Sequence, residues 1–154
     1  KNKNSNLQEK NLLSLSYGKI KRKDINTTDG LLPASFDGYN IIDADDIVLR
    51  LTDLQNDHTS LRIGRATEQG IVTSAYVTIR PMDGVNSQYL YYVLHAFDLK
   101  KGLYGMGSGV RQSLNYDEIK TLKIPFAPPS EQKDIVCYCL CSRFDSRLFS
   151  GCSG

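Results

Sequence analysis

The sequence predicts an α+β fold: a mixed, mainly antiparallel twisted sheet with a few short helices, followed by the start of a C-terminal stalk helix. Three observations lead there. Short apolar runs with period-two alternation are separated by Gly, Pro and Asp-Gly turn signals. A single stretch after Asn86 carries apolar residues at helical spacing. Strands and helices interleave without a regular βαβ alternation, and no repeat of about 20–50 residues is present.

Taken in order, Lys1–Lys10 is polar and expected to fray. Asn11–Tyr17 alternates Leu13, Leu15 and Tyr17 against Leu12, Ser14 and Ser16, a strand pattern that Gly18 ends. The KIKRKD run at Lys19–Asp24 continues it as an edge ribbon. Asn26–Gly30 is turn chemistry, and Leu31–Gly38 an irregular loop around Pro33. Tyr39–Ile42 and Ile47–Leu51 are short strands about an Asp43–Asp46 turn. In the second of them Ile47, Leu49 and Leu51 share one face, with Val48 and Arg50 on the other.

The polar loop Thr52–Ser60 follows, then Leu61–Thr67 and Ile71–Val77, which flank a Glu68-Gln69-Gly70 turn and are predicted to pair as a hairpin. Asn86 or Ser87 caps a helix with Leu90, Val93, Leu94 and Phe97 on one stripe, ending near Gly102. Asn115 and Glu118 have capping-box spacing, which predicts a helix of two turns to Leu122. Lys123–Phe126 is the last predicted strand. Pro128-Pro129 stops the domain, and Ser130-Glu131-Gln132 opens a helix. The predicted organisation is therefore a domain over residues 1–129, and a helix start with an atypical Cys-, Ser- and Gly-rich tail over 130–154. The chain begins with Lys rather than Met and is read as a piece of a longer protein.

Composition excludes several classes. Of the 154 residues 40% are hydrophobic, enough for a core, and no apolar run reaches the roughly 18–20 residues that span a bilayer. No signal peptide is visible, so a cytoplasmic location is expected. The net charge of +2 is far below that of a protein that coats nucleic acid. Its distribution is uneven. Residues 1–23 hold six Lys and Arg22 against Glu9, whereas residues 24–60 hold eight Asp against Arg50. Cys137, Cys139, Cys141 and Cys152 lack the spacing and His partners of a zinc site, so no metal is expected.

No cofactor or catalytic centre is expected either. A methyltransferase would need a cofactor loop and an N/D-P-P-Y/F-type motif; neither occurs. Gly105–Gly109 lacks the G-x-G-x-x-G spacing of a nucleotide loop. Asp83 and Glu118-Ile119-Lys120 do not make a nuclease set, because Glu118 has the spacing of a capping residue.

Two segments carry recognition chemistry. In Tyr104–Leu114, YGMGSGVRQSL, the glycines Gly105, Gly107 and Gly109 permit unusual backbone angles and close approach. Arg111, Gln112 and Ser113 follow, donors and acceptors suited to phosphates and base edges. In Asp46–Asp57, DIVLRLTDLQND, Arg50 precedes the edge-reading types Gln55, Asn56 and Asp57. Arg62 and Arg65 lie just beyond.

These motifs, with IVTSAY at Ile71–Tyr76, YLYYVLHAFDLKKGLY at Tyr89–Tyr104 and IPFAPPSEQ at Ile124–Gln132, resemble the specificity subunits of type I restriction–modification enzymes. The resemblance runs from about Leu12 to about Val136. It implies a non-catalytic target recognition domain that reads half of a bipartite site in double-stranded DNA. It also implies partner modification (methyltransferase) subunits held by helices, the restriction subunit reached through them, and self-association through the C-terminal helix. The implied contacts are Arg50, Gln55, Asn56, Asp57, Arg62, Arg65, Arg111, Gln112 and Ser113. Two alternatives stay open: the recognition domain of a fused restriction–methylation enzyme, and a protein-interaction module with no DNA contact.

Overall fold

A computed structural model describes residues 2–24, 35–55, 59–107, 110 and 112–148, with residues 142–148 as backbone only. The expected turn at Asn26–Gly30 and most of the loop around Pro33 lie outside them.

Among the described residues, eight short strands, a 3-10 turn at Ser5–Leu7 and three α-helices follow one another along the chain. The strands are β1 (Asn2–Lys3), β2 (Leu13–Ser16), β3 (Lys19–Arg22), β4 (Asn40–Ile42), β5 (Ile47–Leu49), β6 (Ile63–Arg65), β7 (Gly70–Val72) and β8 (Val77–Ile79). The helices are α1 (Ser87–Leu99), α2 (Tyr116–Ile119) and α3 (Pro129–Leu148). The strands form three small antiparallel sheets, ordered β1-β4-β7, β2-β3 and β6-β5-β8. An isolated parallel bridge, Leu12 to Ile71, adds the mixed character. The fold is thus α+β, as the sequence predicts.

The sheet β6-β5-β8 is the middle layer. Ile47 and Leu49 of β5, with Ile63 of β6 and Val77 of β8, pack with Leu51, Leu54, Leu94, Leu103, Leu114 and Ile119. Val48 points the other way, into a second cluster with Leu13, Ile42, Ala66 and Val72. Burial on both faces explains why β5 reads as a continuous apolar run, IVL. Each such fully buried aliphatic side chain is worth about 1.5–3 kcal/mol.

Several local signals act as expected. Asn86 caps α1 by accepting from Tyr89 N at 3.0 Å. The capping box of α2 is complete: Glu118 N donates to Asn115 Oδ1 at 3.1 Å, and Asn115 N to Glu118 Oε2 at 2.7 Å. At the end of α1 the left-handed residue is Lys101, with φ of 59°, rather than Gly102. Lys101 N donates to Asp98 O and Gly102 N to Phe97 O, a Schellman closure. Gly102 is required there because any side chain would occupy the space of the Phe97 ring.

Five local expectations are corrected. The N-terminus is stitched down rather than frayed. Asn2 and Lys3 pair with Ile41 and Asn40, and Asn4 is fully buried, its side chain bonded to both main-chain groups of Glu9. Residues 61–67 and 71–77 do not pair as a hairpin. β6 pairs with β5, and β7 with β4, because Gly70 lets the chain turn away against Asn11; a Cβ there would lie 2.5 Å from Asn11 O. The predicted strand 71–77 is also broken, by a turn closed from Tyr76 N to Thr73 O, into β7 and β8. Finally, α2 is a single turn, and Lys123–Phe126 joins no ladder. Pro125 offers no N–H, and the segment is held by a side chain instead: Tyr89 Oη donates to Pro125 O at 3.1 Å and accepts from Ala127 N at 3.2 Å.

The helix α3 starts at Pro129, the position where a missing N–H costs nothing. Its anchor is Gln132, fully buried although it is a polar residue. Gln132 Oε1 accepts from Asn86 N at 2.8 Å, and Nε2 donates to Ala127 O at 2.8 Å and Gly84 O at 3.5 Å. One amide thus joins the start of α1, the turn before it and the start of α3. Ile135, Val136 and Cys139 are half-buried beyond it, while Tyr138 and Leu140 are exposed. Among the described residues, no helix is long and apolar enough to cross a membrane.

Gln132→Glu is expected to destabilise the domain more than Gln132→Ala. The alanine leaves buried groups unpaired at about 1–3 kcal/mol. The glutamate places an acceptor against the Ala127 and Gly84 carbonyls and adds the cost of a buried charge. Thermal unfolding of the two variants gives the order.

Candidate nucleic-acid interface

The two recognition segments lie side by side. Leu114 N donates to Leu51 O at 2.8 Å, and Leu54 N to Gln112 O at 3.4 Å. These main-chain bonds bring residues 50–55 and 112–114 together. Gln55 is exposed, and Arg50, Gln112 and Ser113 are half-buried. Asn56, Asp57 and Arg111 lie outside the described residues, as do His58 and Gly109.

The glycine-rich segment uses its glycines for two different reasons. Gly105 takes φ of 80°, with nothing within 4 Å of where a Cβ would stand. Gly107 is a close approach: a Cβ there would lie 2.5 Å from the Gln112 carbonyl carbon and 2.7 Å from its oxygen. The segment therefore closes on itself. Gln112 itself has φ of 52°, an unfavourable angle for a residue with a side chain. Its side-chain Oε1 is enclosed with no hydrogen-bond donor among the described residues.

Behind these loops sits Arg62, fully buried. Its Nη1 donates to Thr52 O at 2.8 Å and Arg50 O at 3.5 Å, its Nη2 to Asp53 O at 3.2 Å, and its Nε to Tyr104 Oη at 3.2 Å. The guanidinium carbon also lies 5.5 Å from the centre of the Tyr104 ring. This corrects the expectation that Arg62 faces a partner: the planar fork is used on the carbonyls of Arg50, Thr52 and Asp53 and on a phenol. Arg62 ties residues 50–53 to the glycine-rich segment from inside.

Its main-chain N–H donates at 2.6 Å to Asp98 Oδ2. Burial pushes the Asp98 carboxyl above its ordinary value, against the opposing pull of that N–H and of His95, Lys101 and Arg62. The α1 C-terminus is thereby joined to the same brace.

Arg65 is held elsewhere. It lies at the other end of β6, half-buried and ion-paired with Asp45. Arg80 makes a comparable pairing with Asp46 Oδ2 at 2.8 Å and Asp43 Oδ2 at 2.6 Å, which holds its guanidinium pKa up. Sequence reasoning missed Tyr104, Asp98, Tyr89 and Gln132 as organising residues. All four lie within motifs the sequence singled out, Gln132 at the end of IPFAPPSEQ and the others in Tyr89–Tyr104, but nothing local marks their buried partners.

No family model matches the chain, and no curated protein matches its sequence. Solved structures do match its fold. One, described as the structural basis of complex assembly and conformational transition of the type I R-M system, aligns at a TM-score of 0.55 with 18% identity over 71% of this chain. Another is the HsdS subunit from Thermoanaerobacter tengcongensis, at a TM-score of 0.53 with 16% identity over 74% of this chain. The chain spans about a quarter of each, 25% and 26%. It therefore has the fold of a segment of a type I specificity subunit, the family its motifs resemble.

Two predictions test the brace. Arg62→Lys keeps the charge but cannot span the three carbonyls and Tyr104. It is expected to cost several kcal/mol in urea unfolding, in the range for breaking a buried charged network. A loss below about 1 kcal/mol would show that the fork is dispensable.

Asp98 sets a pH dependence of unusual sign. Its folded pKa lies above the unfolded value of about 4. The native state therefore holds the proton more tightly, and protonation favours the fold. The contribution is fully present below the unfolded value and is lost as pH rises through the raised folded value. Wild type is therefore expected to gain stability relative to Asp98→Asn as pH falls from 7 to 4, measured by urea unfolding at each pH.

Proposed function

We propose that this chain is a target recognition domain of a type I specificity subunit, reading one half of a bipartite site in double-stranded DNA. The observation that carries the reading is the lacing of residues 50–55 to 112–114, which brings the segment of Arg50 and Gln55 beside that of Gln112 and Ser113. The fold match to HsdS supports it independently. In this reading Arg50, Gln55, Gln112 and Ser113, with Asn56, Asp57 and Arg111, contact DNA, while Arg62 braces residues 50–53 from behind. Gln55, Asn56 and Gln112 carry the chemistry for base edges, and the arginines that for phosphates or guanine.

The domain comprises residues 1–129, and α3 begins the helix that holds partner modification subunits and, through them, the restriction subunit. The same helix is the route to self-association. The chain itself is non-catalytic and cytoplasmic, and chemistry resides in the partners.

Selection of bound duplexes from a randomised pool by the full chain is expected to enrich one short sequence. Gln112→Ala and Arg111→Ala are each expected to weaken binding to it. Loss of a base contact costs about 1–3 kcal/mol on the enriched site only. Loss of a phosphate contact weakens all duplexes alike and lowers the salt slope by about one. A pool that emerges without enrichment would sink the reading.

A further inference from the structure

The hairpin β2–β3 has two unlike faces. Leu13 and Leu15 are buried, and Leu15 and Ile20 close over Gly64 of β6, where a Cβ would meet their methyl groups at 2.6 and 3.2 Å. The opposite face carries Ser14 and Ser16 cross-strand from Lys21 and Lys19. Lys23 extends the row by one more pair, its N–H bonded to Leu12 O at 2.8 Å. Lys19, Lys21 and Lys23 are exposed, and none makes an ion pair among the described residues. Arg22, on the other face, is taken by Glu68 at 2.5 Å. Among the described residues, the strip is therefore a row of positive charge without an ion-pair partner beside hydroxyls.

Its position matters as much as its charge. The hairpin tip is Tyr17-Gly18, with Tyr17 at φ of 47° and 73% exposed. Gly18 lies against Leu61, 3.2 Å from a Cβ placed on it, and its carbonyl accepts from Tyr91 Oη at 3.3 Å. Leu61 precedes Arg62 in the chain, so the tip lies next to the segment that carries the brace, and the lysine row runs along the hairpin from there. At Lys19 it opens on a concavity of about 310 Å³ lined also by Arg65, Gln88 and Tyr91.

We propose that the outer face of the β2–β3 hairpin is a phosphate-binding surface that tracks the DNA backbone beside the recognition loops, with Lys19, Lys21 and Lys23 as its cations. This rests on the DNA-reading function proposed above and adds to it a contact that carries no sequence information. The period of two residues sets successive ammonium groups about 7 Å apart along the strand. A duplex strand bears one charge per about 3.4 Å of axis, so three lysines in a row can each meet a phosphate. Lysines on an edge strand also discourage edge-to-edge pairing; that role alone would leave DNA binding untouched.

The test compares two triple variants of the full chain that both change the net charge from +2 to −1: Lys19→Gln/Lys21→Gln/Lys23→Gln, and a control, Lys100→Gln/Lys123→Gln/Lys133→Gln, at exposed positions elsewhere. Each is titrated with a mixed-sequence duplex over a range of salt, with thermal unfolding to confirm the fold. The hairpin triple is expected to lower the salt slope by about 2–3 and low-salt affinity about tenfold or more for every sequence. The control should change the slope by less than one. Equal loss in both triples, or no change in the hairpin triple while wild type binds, overturns this surface and leaves the recognition function standing. Absence of any duplex binding by wild type overturns the recognition function, and this surface with it.

Discussion

A guanidinium cannot enter a protein interior unless nearly all its N–H groups find acceptors, because an unpaired buried charge costs several kcal/mol. Arg62 meets that requirement with three carbonyls from Arg50 to Asp53 and the Tyr104 hydroxyl. The requirement runs both ways. Those carbonyls lie where β5 has ended and no strand can pair them, so the arginine satisfies a segment that secondary structure leaves open. The Arg62 main chain meanwhile bonds Arg50 and Asp98. One residue therefore fixes the exit from β5, the entry to β6, the end of α1 and the start of the glycine-rich segment.

The same device recurs at the other ends of the domain. Its three sheets are small, and none has more than three strands. Fully buried polar side chains take over where ladders stop. Asn4 closes the N-terminal segment onto Glu9, and Gln132 fastens α3 to the N-cap of α1. Tyr89 replaces a strand at Pro125–Ala127. Gln132 and Tyr89 tie together segments far apart in sequence, which suits a domain with short strands and long irregular connections. Such joints specify one arrangement of loops strongly, because a half-satisfied buried polar group is worse than none.

Under the proposed function, this division has a functional logic. Side chains that distinguish bases must be held within a fraction of an ångström, yet they sit on loops, which tolerate change in sequence. A brace made from main-chain carbonyls and one buried arginine holds the loop path while leaving outward side chains such as Gln55 outside the joint. A lysine row along the neighbouring hairpin would add affinity without constraining which sequence is read.

The sequence by itself determined the elements whose cause is local. The alternation at Leu13–Ser16, the cap at Asn86, the capping box at Asn115 and Glu118 and the helix opening near Ser130 act through neighbours a few residues away, and all were legible. It also singled out the glycine-rich segment and the Asp46–Asp57 motif, though not that they touch. Tertiary structure decided what depends on distant partners. The strands 61–67 and 71–77 separate into two sheets because Gly70 fits against Asn11, some sixty residues away in the chain. Arg62 and Arg65 looked alike as basic residues three apart; one is buried in a brace and the other paired with Asp45 at the surface. Charge and spacing cannot separate them, because the difference lies in which carbonyls and carboxylates the fold brings within hydrogen-bonding reach.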